Sequence, residues 1–200
     1  MTRPRLLGHR GARAHSPENT LTSLRHALRS GADGFEFDVR ATADGHAVLM
    51  HDETVDRTTD GAGPLASLTL ERVRELNAGS WFDATIDDEP VPTLDEVMDE
   101  FLGSTALALE MKEVLPDSVL RTLAWRLAGA SAAKALEDDR LVLASFRSEA
   151  VDRARELVPA APRARILRRE EPIPGSEERA GLELWGVFAR WESVDARFLE

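Results

Sequence analysis

"GFEFDVRATADGHAVLMHDE", residues 34–53, carries two apolar patterns joined by a turn. Phe35, Phe37 and Val39 alternate with Glu36, Asp38 and Arg40, the period-two pattern of a strand with two chemically different faces. A second run, Val48 to Met50, follows the Asp44-Gly45 turn and ends on His51 and Asp52. Too few residues separate Asp38 from Ala47 for a crossover helix, so the pair reads as a local hairpin or a short extended return. Such a segment is either a half-solvated hairpin or part of a metal-assisted active site. The rest of the chain has to choose between them.

Outward from this stretch, the pattern alternates. Residues 5–12 read as a short strand ending in Gly, His and Arg. Residues 16–31 read as a helix with Ser16 as its cap, Pro17 in its first turn and Gly31 closing it. Helical patterns recur at 69–79, 93–103, 116–129 and 148–158, with a helical turn at 176–181 and a last helix opening near 193. Thr93 with Glu96 forms a capping box, and Gly79 and Gly103 stand at helix ends. Strand patterns occupy 107–112, 140–146, 163–168 and 184–190. Strands alternating with helices imply a parallel sheet covered by helices, either a closed barrel or an open doubly wound sheet. No dinucleotide-type glycine motif follows the first strand. About forty residues between Asp52 and Thr93 exceed a plain connection and read as a lid or small inserted subdomain.

Composition narrows the function classes. The formal net charge is −11, a poor match for gripping nucleic acid. The acidic run at 83–100 is a solvated loop plus an acidic first helical turn, and the basic cluster at 163–171 reads as a solvated strand end. There is no cysteine, which removes disulfides, thiol nucleophiles and thiolate metal sites. No apolar run approaches the ~20 residues that span a bilayer, and the N-terminus lacks the apolar core of a signal peptide, so no membrane anchor and a cytoplasmic location are expected.

Polar residues gather at the ends of apolar strands. His9 and Arg10 end the first, Glu36 and Asp38 lie in the second, His51 and Asp52 end the third, and Glu110 and Lys112 end the fourth. In a parallel barrel such ends share one rim. Glu36, Asp38 and Glu110 offer three oxygen ligands, a set suited to one hard divalent cation, Mg²⁺ or Ca²⁺. Only two basic residues are lysines, Lys112 and Lys134. Lys112, inside a core strand, suits a phosphate oxygen or an ion pair with Glu110 or Glu36. His9 and His51 are the acid–base candidates, since an imidazole titrates near ~6.5. His15, His26 and His46 are expected on the surface, and Asp52 reads as a turn cap, with the orienting of a neighbour as its alternative.

The residues of "HRGARAHSPENT", "FEFDVRATADGHAVLMHDETVDRTTDGAG", "LNAGSWF", "VPTLDEV", "LALEMK" and "SF" occur in an order that resembles the glycerophosphodiester phosphodiesterase family, over about residues 5–146. The resemblance implies a (β/α)8 TIM-type barrel, one domain over 1–200, with a small insertion after the third strand at roughly 53–92. It implies metal ligands at Glu36, Asp38 and Glu110, acid–base histidines at His9 and His51, and phosphate contacts from Arg10 and Lys112. The implied activity is hydrolysis of a small glycerophosphodiester to sn-glycerol 3-phosphate and an alcohol. The family's W-T-V-N and G-V-D-G-I-x-T-D segments have no counterpart. The barrel is therefore expected to lack its last strand and helix: either the chain is cut short, or a partner chain (a second copy, by self-association, among the candidates) or a rearrangement covers the open side. Two alternatives accompany this reading: a lysophospholipase D-type barrel enzyme, and a non-catalytic barrel relic that binds a ligand or partner.

Overall fold

A computed structural model describes residues 4–188. Six strands run parallel: β1 (Leu7–His9), β2 (Gly34–Ala41), β4 (Ala106–Met111), β5 (Leu141–Ser145), β6 (Arg163–Ile166) and β7 (Gly186–Phe188), side by side in that order. The seventh, β3 (Ala47–Leu49), pairs antiparallel with the end of β2, Ala41 opposite Ala47 and Val39 opposite Leu49. The result is a partial (β/α) barrel. The hairpin reading of 34–53 holds. The third strand, however, is not a member of the parallel set, so the expected row of four parallel strand ends is a row of three, with β3 folded back onto it.

Each face of the sheet has its own composition because side chains alternate along a strand. Phe35, Phe37, Val39, Leu107, Leu109, Met111, Leu141 and Leu143 point to the helical layer and form the main core. Against them pack α1 (Leu21–Arg29), α3 (Leu94–Phe101), α4 (Asp117–Leu127), α5 (Ala130–Glu137) and α6 (Ser148–Leu157). The other face carries small residues, Ala108, Val142, Ala144 and Ala164, with Leu7, Ile166 and Phe188 beside them. Glu36, Asp38 and Glu110 share the parity of these inner residues. The main core therefore forms without burying a carboxylate among its aliphatic side chains.

The segment 53–92 departs from β3 and returns at α3. It holds a 3-10 turn (Leu65–Ser67) and α2 (Leu70–Arg74). Val55, Leu65, Val73, Ala78 and Val91 pack with Val48 and Met50 into a small core of their own. Segment 53–92 thus packs against the end of the β2–β3 hairpin through Val48 and Met50.

Several local readings change. The first helix begins at Leu21 and is capped by Thr20, whose side chain accepts from the Ser23 amide. Ser16 is occupied elsewhere, its hydroxyl 2.7 Å from His26 Nδ1, so His26 is a half-buried partner and not a free surface residue. Helix α2 ends at Arg74, and Gly79 lies in the loop beyond it. Helix α5 follows directly on Gly129, which in the sequence pattern reads as a stop but here is the helix's N-cap. The capping box at Thr93 and Glu96 is present. The final helical pattern near 193 lies outside the described residues.

Gly34 is required by close approach. A Cβ there would sit 1.9 Å from the Ala106 carbonyl oxygen on the neighbouring strand. Gly34→Ala is expected to cost about 1–3 kcal/mol or more, read as a lower midpoint in urea denaturation.

Candidate active site

The strand register brings the chemistry together. His9 is opposite Glu36 across β1–β2, and Asp38 is opposite Glu110 across β2–β4. Carboxylate oxygens from Glu36, Asp38 and Glu110 all lie within 4.8 Å of one another. Asp38 and Glu110 are buried and Glu36 is nearly so. Two of these oxygens, Glu36 Oε1 and Asp38 Oδ1, are buried and accept no hydrogen bond among the described residues. Buried oxygens of this kind are costly unless a positive charge or a proton satisfies them. Burial and the neighbouring Asp38 push the Glu36 carboxyl up to about 8, opposed by the Arg10 amide. An all-oxygen donor set with unsatisfied lone pairs fits a hard divalent cation.

Two cations border the cluster. Lys112 Nζ donates to Glu110 Oε1 at 2.6 Å and lies 3.4 Å from Asp38 Oδ1. Its ion pair is thus with Glu110 and Asp38. Arg10 lies on the other side, with Nε 3.1 Å from Asp38 Oδ2. Its backbone adopts φ +53°, an unusual value for a side-chain-bearing residue. That turn lets the Arg10 amide donate to Glu36 Oε2 at 3.0 Å while its guanidinium donates to Glu18 Oε1 at 2.9 Å.

His9 is half-exposed at the end of β1, with Nε2 3.7 Å from Glu36 Oε2. Partial burial, then Arg10 and Arg13, lower its pKa and favour the neutral ring. His51 follows β3, whose course is fixed by the Met50 amide donating to the Asp38 carbonyl at 3.1 Å. Arg40 holds the His51 carbonyl through Nε at 2.9 Å. His51 Nδ1 lies 2.6 Å from Asp52 Oδ1. Arg57, and against it only modest burial, holds the Asp52 carboxyl down to about 2, so Asp52 accepts and Nδ1 donates. Asp52 is therefore a partner of the imidazole and not a turn cap.

Three residues of this arrangement were not singled out from the sequence. Asn19, at φ +57°, donates from its amide to Asp38 Oδ2 at 2.9 Å and accepts from the Asp38 amide at 3.1 Å. Glu18 accepts from Arg10 and, on the same oxygen, from Arg57 Nη2 at 2.7 Å. Arg57, from the insertion, also donates to Asp52 Oδ2 at 2.5 Å. Burial raises the Glu18 carboxyl, and the Arg57 and Arg10 hydrogen bonds more than offset it. The signal was the Glu-Asn-Thr that follows Pro17, read as helix when only Thr20 serves the helix. A separate cleft of about 360 Å³ between the hairpin tip and α3 holds none of these residues, and its Arg126 is already paired with Asp95 and Asp99.

Residues 9–184 match the model of the glycerophosphoryl diester phosphodiesterase family. This chain belongs to that family. YhdW of Bacillus subtilis strain 168 is 32% identical to this family member over 189 residues, 94% of the chain and 75% of YhdW. The glycerophosphodiester phosphodiesterase of Caldanaerobacter subterraneus subsp. tengcongensis is 47% identical over 98 residues, which is 49% of the chain and 40% of that relative. The structure of an Oleispira antarctica phosphodiesterase in complex with the product sn-glycerol-3-phosphate superposes with a TM-score of 0.75 at 29% identity, covering 98% of this chain and 78% of the other. The superposition covers β7 as well as the strands before it, well past residue 146. Among the described residues no helix is long and apolar enough to cross a membrane.

Proposed function

We propose that this chain hydrolyses water-soluble glycerophosphodiesters to sn-glycerol 3-phosphate and an alcohol. The observation that carries the reading is the largely buried triad Glu36, Asp38 and Glu110, in which Glu36 Oε1 and Asp38 Oδ1 accept no hydrogen bond among the described residues, flanked by Arg10 and Lys112. Those three carboxylates would hold one Mg²⁺ or Ca²⁺, which when bound supplies charge neutralisation and Lewis acidity toward a phosphoryl oxygen. Arg10 and Lys112 bind non-bridging phosphate oxygens and steady the charge that builds in the transition state.

His9, kept neutral, takes the proton from the attacking oxygen, either water or the glycerol 2-hydroxyl. His51 donates to the departing alkoxide from Nε2, because Asp52 holds Nδ1 and fixes the ring. Glu18 and Arg57 tie both halves of this machinery into one network, from Arg10 to Asp52. Arg57→Gln is expected to lower kcat/KM roughly tenfold, the size of effect common for residues that orient a ligating or reacting group. The loss should appear mainly in kcat.

Incubation with glycerophosphocholine and Mg²⁺ or Ca²⁺, followed by enzymatic assay of sn-glycerol 3-phosphate with and without EDTA, tests the reading. Product that disappears with EDTA supports it. No product with either metal, on any diester, favours the ligand-binding relic. For the lysophospholipase D alternative the insertion offers only Trp81 and Phe82, packed edge to face against each other, as partly exposed aromatics. An assay with lysophosphatidylcholine separates that alternative.

A further inference from the structure

Beside the carboxylate cluster, on the β5–β6 side, a cavity of about 240 Å³ is lined by Glu110, Met111, Lys112, Ser145, Phe146, Arg147 and Arg168. It shares Glu110 and Lys112 with the site above, so a phosphodiester bound there would direct one of its two substituents into this space. The walls are cationic. Arg147 follows β5 and donates through Nε to the Lys112 carbonyl at 3.1 Å, which holds it between this cavity and the neighbouring cleft that carries Glu53 and Glu113. Arg168 follows β6, its guanidinium carbon 6.0 Å from the Phe146 ring centre. Neither guanidinium makes a carboxylate ion pair among the described residues, although Glu171 and Glu113 lie in the same region and are engaged by Arg165 and Arg40. In the sequence pattern Arg168 belongs to a solvated strand end; its place over Phe146 gives it a face on the cavity.

Phe146 is the one aromatic ring of this lining, and an aromatic face is what attracts a quaternary ammonium headgroup. Here the chain's own cations use it: Lys112 Nζ lies 5.9 Å and the Arg168 guanidinium 6.0 Å from the ring centre. A cationic headgroup would meet like charge on three residues, whereas a carboxylate or a further phosphate would meet two guanidinium groups that have no carboxylate partner among the described residues.

Resting on the hydrolase reading, we infer that this cavity is the subsite for the alcohol portion and that Arg147 and Arg168 select diesters whose alcohol bears an anionic group. Glycerophosphoserine and glycerophosphoethanolamine differ by a single carboxylate and so isolate the effect. With saturating metal, kcat/KM is expected to favour glycerophosphoserine by roughly tenfold, about threefold for each arginine, the scale of a partly exposed ion pair. Arg147→Gln with Arg168→Gln should bring the ratio near one, while glycerophosphoglycerol, with its neutral alcohol, changes by less than about twofold. Either single variant should give an intermediate ratio. A wild-type ratio near one, or a tenfold ratio that survives in the double variant, overturns the inference. If the wild type turns over no diester, the hydrolase reading falls by itself. Calorimetric affinities for the same matched pair in the presence of Ca²⁺ then decide: a serine preference lost in the double variant upholds the anionic subsite, and equal affinities overturn it.

Discussion

His51→Ala is expected to lower kcat on glycerophosphocholine by roughly 10²–10⁴-fold, the range that a general acid contributes, with a melting temperature close to wild type. The ring itself is only partly buried, so its removal opens no core cavity. The backbone contacts that hold this position run through the His51 carbonyl and the Met50 amide, which the substitution keeps. A more acidic alcohol separates the two histidines. If His51 protonates the leaving oxygen, a glycerophosphoryl ester of p-nitrophenol needs little protonation and should recover most of the loss in His51→Ala. The same ester should not rescue His9→Ala, because the base that activates the attacking oxygen is still missing. Equal rescue of both, or wild-type turnover in either, removes that residue from its assigned role.

The second large effect concerns the cation. With its pKa near 8, Glu36 is mostly protonated at pH 7 in the metal-free protein, at the cost of desolvating and crowding three carboxylates. A folded pKa above the unfolded value of 4.5 means that the folded state binds the extra proton between the two. This group therefore favours folding below about 4.5 and loses that contribution as pH rises through about 8. A cation must displace this proton. Calorimetry at pH 7 in buffers of different ionisation enthalpy is expected to show release of about one proton per Mg²⁺ or Ca²⁺ bound. Metal at about 100 times its dissociation constant should stabilise the wild type by about 2.7 kcal/mol. Glu36→Gln keeps the shape of the protonated acid and removes the proton to be displaced. It should fold at least as well as wild type at pH 8, show no proton release, and lose most of the metal-induced rise in melting temperature. Proton-independent metal binding to the wild type would sink this account of Glu36.

These predictions draw unequally on sequence and structure. The period-two alternation at Phe35–Arg40 was enough to put Glu36 and Asp38 on one face, because the geometry of a strand is local. The hairpin at Asp44-Gly45, the capping box at Thr93 and the strand–helix alternation were legible for the same reason: each depends on residues within a few positions of one another. The parallel sheet followed from that alternation, and the family resemblance named the candidate residues.

What the chain could not disclose by itself is which distant groups meet. Register between β2 and β4 sets Asp38 opposite Glu110, seventy-two positions away, and one residue of slip would have sent either carboxylate into the helical core. Asn19 and Glu18 were hidden within an apparent helix start, and their partners Asp38, Arg10 and Arg57 come from three other segments. Arg57 lies in the insertion, and only the folding of that unit onto the hairpin carries it to Asp52. Local sequence thus determined the elements and the faces on which charge appears. Tertiary packing decided which charges converge, since burial, ion pairing and the pKa of Glu36 arise from neighbours that no stretch of the chain contains.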